Sequence, residues 1–125
     1  MQDKILIVDD DELVLACFER MLGRQFEVET VTGPYEALEA IQSRGPFAVV
    51  LSDLRMPGMN GVQLLEKAKE LCPHIVGVVL SGNVEPGDVA SPAVHKVLDK
   101  PCATAELVGA LTEAIDYHRA LCGNN

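Results

Sequence analysis

Ile5-Leu6-Ile7-Val8-Asp9-Asp10-Asp11-Glu12 joins four consecutive apolar residues to four consecutive acids. The apolar half, rich in branched side chains, reads as a strand buried on both faces. The acids then fall at its carboxyl end, where open α/β sheets place their ligand sites. Two carboxylates about 4 Å apart repel by about 4 kcal/mol at an effective dielectric of about 20. A hard divalent cation that takes oxygen ligands, such as Mg²⁺, offsets that repulsion.

Outward from this stretch, strand-like and helix-like segments alternate to the end of the chain. The first strand is Lys4–Val8, and a helix follows over about Asp11–Leu22, with Val14, Phe18, Met21 and Leu22 on one face. Gly23 suits its stop. Phe26–Val31 reads as the second strand. Gly33-Pro34 opens a second helix to about Ser43, with Ala37, Leu38 and Ile41 inward, and Gly45-Pro46 breaks it. Phe47–Ser52 is a third apolar strand, followed by the loop Asp53–Gly61. The next helix spans about Val62–Cys72 and stops before Pro73. Ile75–Leu80 is the fourth strand and Lys96–Leu98 a short fifth. The last helix runs over Thr104–Leu121, with Leu107, Leu111, Ala114 and Ile115 inward. Strands alternating with helices imply an α/β fold, with parallel pairing, right-handed crossovers and helices on both faces of the sheet. Residues 1–122 read as a single domain, and 123–125 as a tail.

Ten Lys and Arg stand against 19 Asp and Glu, a formal charge of −9. That balance argues against binding a nucleic-acid backbone, which needs clustered cations, and equally against anionic membrane surfaces. No apolar run approaches the roughly 20 residues of a membrane span. Met1-Gln2-Asp3-Lys4 leads straight into a strand, so no secretory leader is expected. The four cysteines share no metal-ligand spacing and read as reduced thiols of a cytoplasmic protein.

Chemistry-bearing residues gather where strands end. Asp9 and Asp10 close the first strand, Asp53 the third, Ser81 the fourth and Lys100 the fifth. In a parallel sheet these ends share one edge. Three carboxylates, a hydroxyl and an ammonium suit phosphoryl transfer, in which a cation neutralises the acids while Lys and a hydroxyl bind phosphoryl oxygens. No glycine-rich loop follows the first strand, which removes a dinucleotide fingerprint and a P-loop. His74, His95 and His118 are scattered, and no Ser/His/Asp or Cys/His set is evident. Acids after a strand also favour the N-terminus of the next helix, and that suffices for Asp11 and Glu12.

Taken in order, Ile7-Val8-Asp9-Asp10, Asp53-Leu54-Arg55-Met56-Pro57 with Gly61, Leu80-Ser81-Gly82 and Lys100-Pro101 resemble the receiver domain of response regulators in two-component signalling. The resemblance covers essentially the whole length. It implies a flavodoxin-like three-layer sandwich with a five-stranded parallel sheet in the order 2-1-3-4-5, and a cis Lys100-Pro101 bond. It implies that Asp53 accepts a phosphoryl group from the phosphohistidine of a kinase or phosphotransfer protein. It further implies that Asp10, Asp53 and the Arg55 backbone carbonyl ligate Mg²⁺, with Asp9 acting through water. Ser81 and Lys100 would hold phosphoryl oxygens, Lys100 pairing with Asp53 beforehand.

The chain departs from this family in three places. Val97 stands where receivers carry a Tyr or Phe that moves with phosphorylation, and valine is stiff and too small for an aromatic-sized pocket. Output is therefore expected not to use the usual hydroxyl–aromatic coupling. Pro86, Gly87 and Pro92 fall where the family has its fourth helix, so a short or irregular helix is expected near Glu85–Ala90, which puts a standard dimer in doubt. Arg55 and Asn83 occupy positions that tune phosphoryl lifetime in the family.

The expected function is a phosphorylatable receiver that switches a downstream partner or attached output and is not an enzyme beyond its own phosphorylation and dephosphorylation. One alternative is an interaction module that is never phosphorylated. A Mg²⁺-dependent phosphatase is a poorer fit, because position 55 holds Arg where such enzymes carry a second acid.

Overall fold

The computed structural model describes residues 3–82 and 90–123. In chain order these form β1 (Lys4–Val8), α1 (Glu12–Leu22), β2 (Glu27–Val31), α2 (Pro34–Arg44), β3 (Val49–Asp53), α3 (Gly61–Leu71), β4 (Val76–Ser81), β5 (Val94–Asp99) and α4 (Thr104–Leu121). The sheet is parallel throughout, in the order β2-β1-β3-β4-β5. Of the irregular helix expected near Glu85–Ala90, positions 85–89 lie outside the described residues, as does Asn83, and Ala90 is not helical.

Strand alternation divides the core in two. Ile5 and Ile7 of β1 point into one layer with Leu15 and Leu22 of α1 and Leu107 and Leu111 of α4. Leu6 and Val8 point into the other, with Ala37 and Ile41 of α2 and Leu64 and Leu65 of α3. Helices therefore cover both faces, which is why β1, β3 and β4 read as unbroken apolar runs.

Helix ends follow local chemistry. The Asp11 side chain accepts the Leu13 N–H at 2.9 Å and caps α1. Pro34 opens α2, where its missing N–H costs nothing. Asn60 and Gln63 form a reciprocal capping box at 3.0 and 2.9 Å, which starts α3 at Gly61 rather than at Val62 as expected.

Two expectations are corrected. On α1 the fully buried positions are Leu15 and Leu22, while Val14, Phe18 and Met21 are half-buried. Phe18, Met21 and Leu22 do pack on the core as expected, so the one change is that Leu15 enters it in place of Val14. β5 is six residues long instead of three. Val94, His95 and Asp99 lay outside the expected strand, yet the ladder to β4 takes in Val94 and Asp99, with His95 skipped in the register between Gly77↔Val94 and Val78↔Lys96. Ladder hydrogen bonds need no apolar side chain, and a bulge absorbs the extra residue.

Candidate functional site

The carboxyl edge of the sheet carries every residue singled out from the sequence. Asp9 lies one residue beyond β1, and its N–H donates to the Val31 carbonyl at 3.3 Å. Asp53 is the last residue of β3 and Ser81 the last of β4. Lys100 follows β5, and its N–H donates to the Ser81 carbonyl at 3.0 Å. The strand ends are thus tied together by backbone bonds before any side chain contributes. The Lys100–Pro101 bond is cis, as the resemblance implied, and so is Gly45–Pro46.

Carboxylate oxygens of Asp9, Asp10 and Asp53 lie within 4.8 Å of one another. Asp9 is buried, Asp53 half-buried and Asp10 exposed, so the cluster opens to solvent on one side. Lys100 Nζ stands 2.6 Å from Asp53 Oδ1, the ion pair expected from the resemblance. Among the described residues the buried Ser81 hydroxyl makes one long bond, 3.4 Å, to the Gly82 carbonyl. Arg55 is exposed in the loop after β3.

Two supports, Ser52 and Tyr35, escaped the sequence reading, and Gly61, part of the motif, gains a physical reason. Ser52, fully buried, donates its hydroxyl to the Asp53 carbonyl at 2.9 Å and fixes that peptide. Gly61 donates its N–H to the Leu54 carbonyl at 2.8 Å and lies so close that an added Cβ would stand 2.6 Å from the Asp53 carbonyl oxygen. Tyr35, at the start of α2, lies against Gly58 in the loop beyond Asp53, where a Cβ would come within 3.1 Å of the ring. The polar Ser52 inside an apolar run was a signal; nothing local linked Tyr35 to Gly58.

Burial pushes the Asp9 carboxyl above its ordinary value. The Asp11 N–H, donated to Asp9 Oδ1 at 2.9 Å, opposes this; the Asp53 charge adds to it, Lys100 opposes it and Asp10 adds to it. The folded chain therefore holds the Asp9 proton more tightly than the unfolded chain does. That contribution to stability is full below the ordinary carboxyl value and is lost as pH rises through the raised one. Asp9→Asn keeps the acceptor for the Asp11 N–H and removes the charge. It is expected to raise the denaturation midpoint of the cation-free protein at neutral pH, with the gain fading towards about pH 3. Matching midpoints for variant and parent at neutral pH would contradict this electrostatic account.

Oxygen donors alone, three of them carboxylates, form a set that fits a hard divalent cation and no soft one. The four cysteines are free and stand apart from this cluster. Among the described residues no helix is long and apolar enough to cross a membrane.

Residues 5–112 match the response regulator receiver domain family. The hydrogenase transcriptional regulatory protein HoxA of Cupriavidus necator is 32% identical over 123 residues, covering 93% of this chain and 25% of that protein. The chain thus spans about a quarter of the length of the curated relatives it matches first. Among solved structures, the adenylate cyclase of Rhodopirellula baltica superposes with a TM-score of 0.92 at 33% identity, over 98% of this chain and 94% of that one. A CheY-like response regulator receiver domain protein of Methanospirillum hungatei superposes with a TM-score of 0.88 at 28% identity, over 96% and 98%. Sheet order, edge chemistry and family match agree, and the chain belongs to the response regulator receiver domains of two-component signalling.

Proposed function

We propose that Asp53 takes a phosphoryl group from a phosphohistidine of a kinase or phosphotransfer protein, and that the resulting aspartyl phosphate switches a downstream partner or attached output in the cytoplasm. A carboxylate oxygen of Asp53 attacks phosphorus, the P–N bond breaks, and the imidazole leaves. Lys100, already 2.6 Å from Asp53, and Ser81 at the neighbouring strand end then bind phosphoryl oxygens. Asp9, Asp10 and Asp53, with the Arg55 carbonyl, would hold Mg²⁺, which supplies positive charge to neutralise the acids and the incoming group. The carrying observation is the convergence of three carboxylates within 4.8 Å, with an ammonium against the central one. The protein turns over no separate substrate in this reading.

Incubation with acetyl phosphate and Mg²⁺ is expected to add one phosphoryl mass to the intact chain, and chelation of the cation to suppress it. No added mass, under conditions that label another receiver, would favour the inert interaction module. Steady hydrolysis of a generic phosphoester would favour a phosphatase instead.

Val97 lies on β5, exposed, with its Cα paired to Val79. With two methyls and one torsion it has no aromatic-sized alternative position. Amide chemical shifts of β5 are therefore expected to move little when beryllofluoride mimics the phosphoryl group. A large rearrangement centred on Val97 would refute the idea that output bypasses this strand.

A further inference from the structure

α4 ends in two side chains that the phosphoryl site does not use. His118 lies in the last turn and Cys122 at the C-cap, four residues apart and so on one helix face. His118 Nε2 stands 3.5 Å from Cys122 Sγ. The other ring nitrogen, Nδ1, bonds the His74 carbonyl at 2.7 Å. A carbonyl only accepts, so the proton sits on Nδ1 and Nε2 faces the sulfur. Anchoring one nitrogen on a backbone carbonyl is how proteins orient a histidine that ligates metal through the other.

The spacing matches that chemistry. With Zn–S bonds of about 2.3 Å and Zn–N bonds of about 2.0–2.1 Å, two ligands at the tetrahedral angle lie about 3.5 Å apart. The separation of the two donors therefore already equals that of two ligands on one ion, and Cys122 is exposed where one can arrive.

We propose that His118 and Cys122 chelate one borderline-soft divalent cation of the zinc class, with water completing its shell. As the metal–sulfur bond forms, the thiol proton leaves to solvent. This centre is independent of the phosphoryl pocket. α4 starts just after Lys100, and its 18 residues carry the chain about 27 Å away, to the opposite edge of the sheet. The donors differ as well: nitrogen and sulfur here, oxygens there, so the two sites select different metals.

The test uses zinc alone as the probe, on the parent chain, with excess Mg²⁺ to occupy the carboxylates. Alkylation of each thiol is followed by mass spectrometry, and exposed Cys17 serves as the internal control. Zinc is expected to slow labelling of Cys122 at least about tenfold and to leave Cys17 unchanged. His118→Ala should lose the protection. His118→Gln, which keeps an N–H donor for the His74 carbonyl, should lose it too. Equal labelling of Cys122 with and without zinc would overturn the site, leaving a plain S–H···N hydrogen bond. Protection that survives both His118 substitutions would overturn it as well.

Discussion

Asp53→Asn is expected to end phosphoryl uptake, leaving no added mass after acetyl phosphate and Mg²⁺, with the fold intact by circular dichroism. The amide is no nucleophile, and no other carboxylate of the cluster stands against Lys100 as Asp53 does at 2.6 Å. Two stability effects oppose each other in this variant. One negative charge leaves a group of three carboxylates within 4.8 Å, and the Lys100 ammonium loses its charged partner. Lys100 is well exposed, so the lost pair is worth little and the unfolding midpoint is expected to stay close to the parent's. Retained labelling that mapped to Asp9 or Asp10 would move the acceptor and undo the assignment of roles.

Gly61→Ala is expected to destabilise the protein by about 2–3 kcal/mol, near the top of the usual range for overpacking. The new methyl would stand 2.6 Å from the Asp53 carbonyl oxygen and 3.2 Å from both Leu54 Cα and Ser52 Oγ. Two of these atoms are backbone, at the end of the strand that carries Asp53. Relief requires moving that strand end or the first turn of α3, so slower phosphorylation should accompany the lower denaturation midpoint. Gly109→Ala in α4 is the matched control. Its Cβ would meet nothing within 4 Å, and removing a glycine from a helix interior should stabilise by about 0.5–1 kcal/mol. Two Gly→Ala changes of opposite sign separate close approach from helix propensity. A neutral Gly61→Ala would show that the loop yields and that the contact is not a constraint.

The candidate site was legible because its residues sit at strand ends. Each of Asp9, Asp53, Ser81 and Lys100 lies at or just past the end of a strand, and a parallel sheet gathers all such ends on one edge. Its supporting shell was not legible. Gly61 was named with the motif, but its close approach to the Asp53 carbonyl and the contact of Tyr35 with Gly58 are defined by distance, and residues apart in the chain carry no distance in their order. The His118–Cys122 pair was passed over for a related reason. Two donors four apart on an exposed helix end mean little until the His74 carbonyl, 44 residues away, is seen holding the ring.

Local pattern by itself determined the alternation of elements, the bounds of β1 at Lys4–Val8 and of α4 at Thr104–Leu121, and the residues of the acidic edge. Apolar periodicity and turn residues act over a few positions, and each of these features is encoded within that span. Tertiary structure alone decided that Leu15 rather than Val14 enters the core, that β5 runs to six residues across a bulge, and that Tyr35 of α2 lies against Gly58. These depend on which surfaces are left to cover, and on ladder bonds that ignore side-chain identity, once helices and strands have packed against each other.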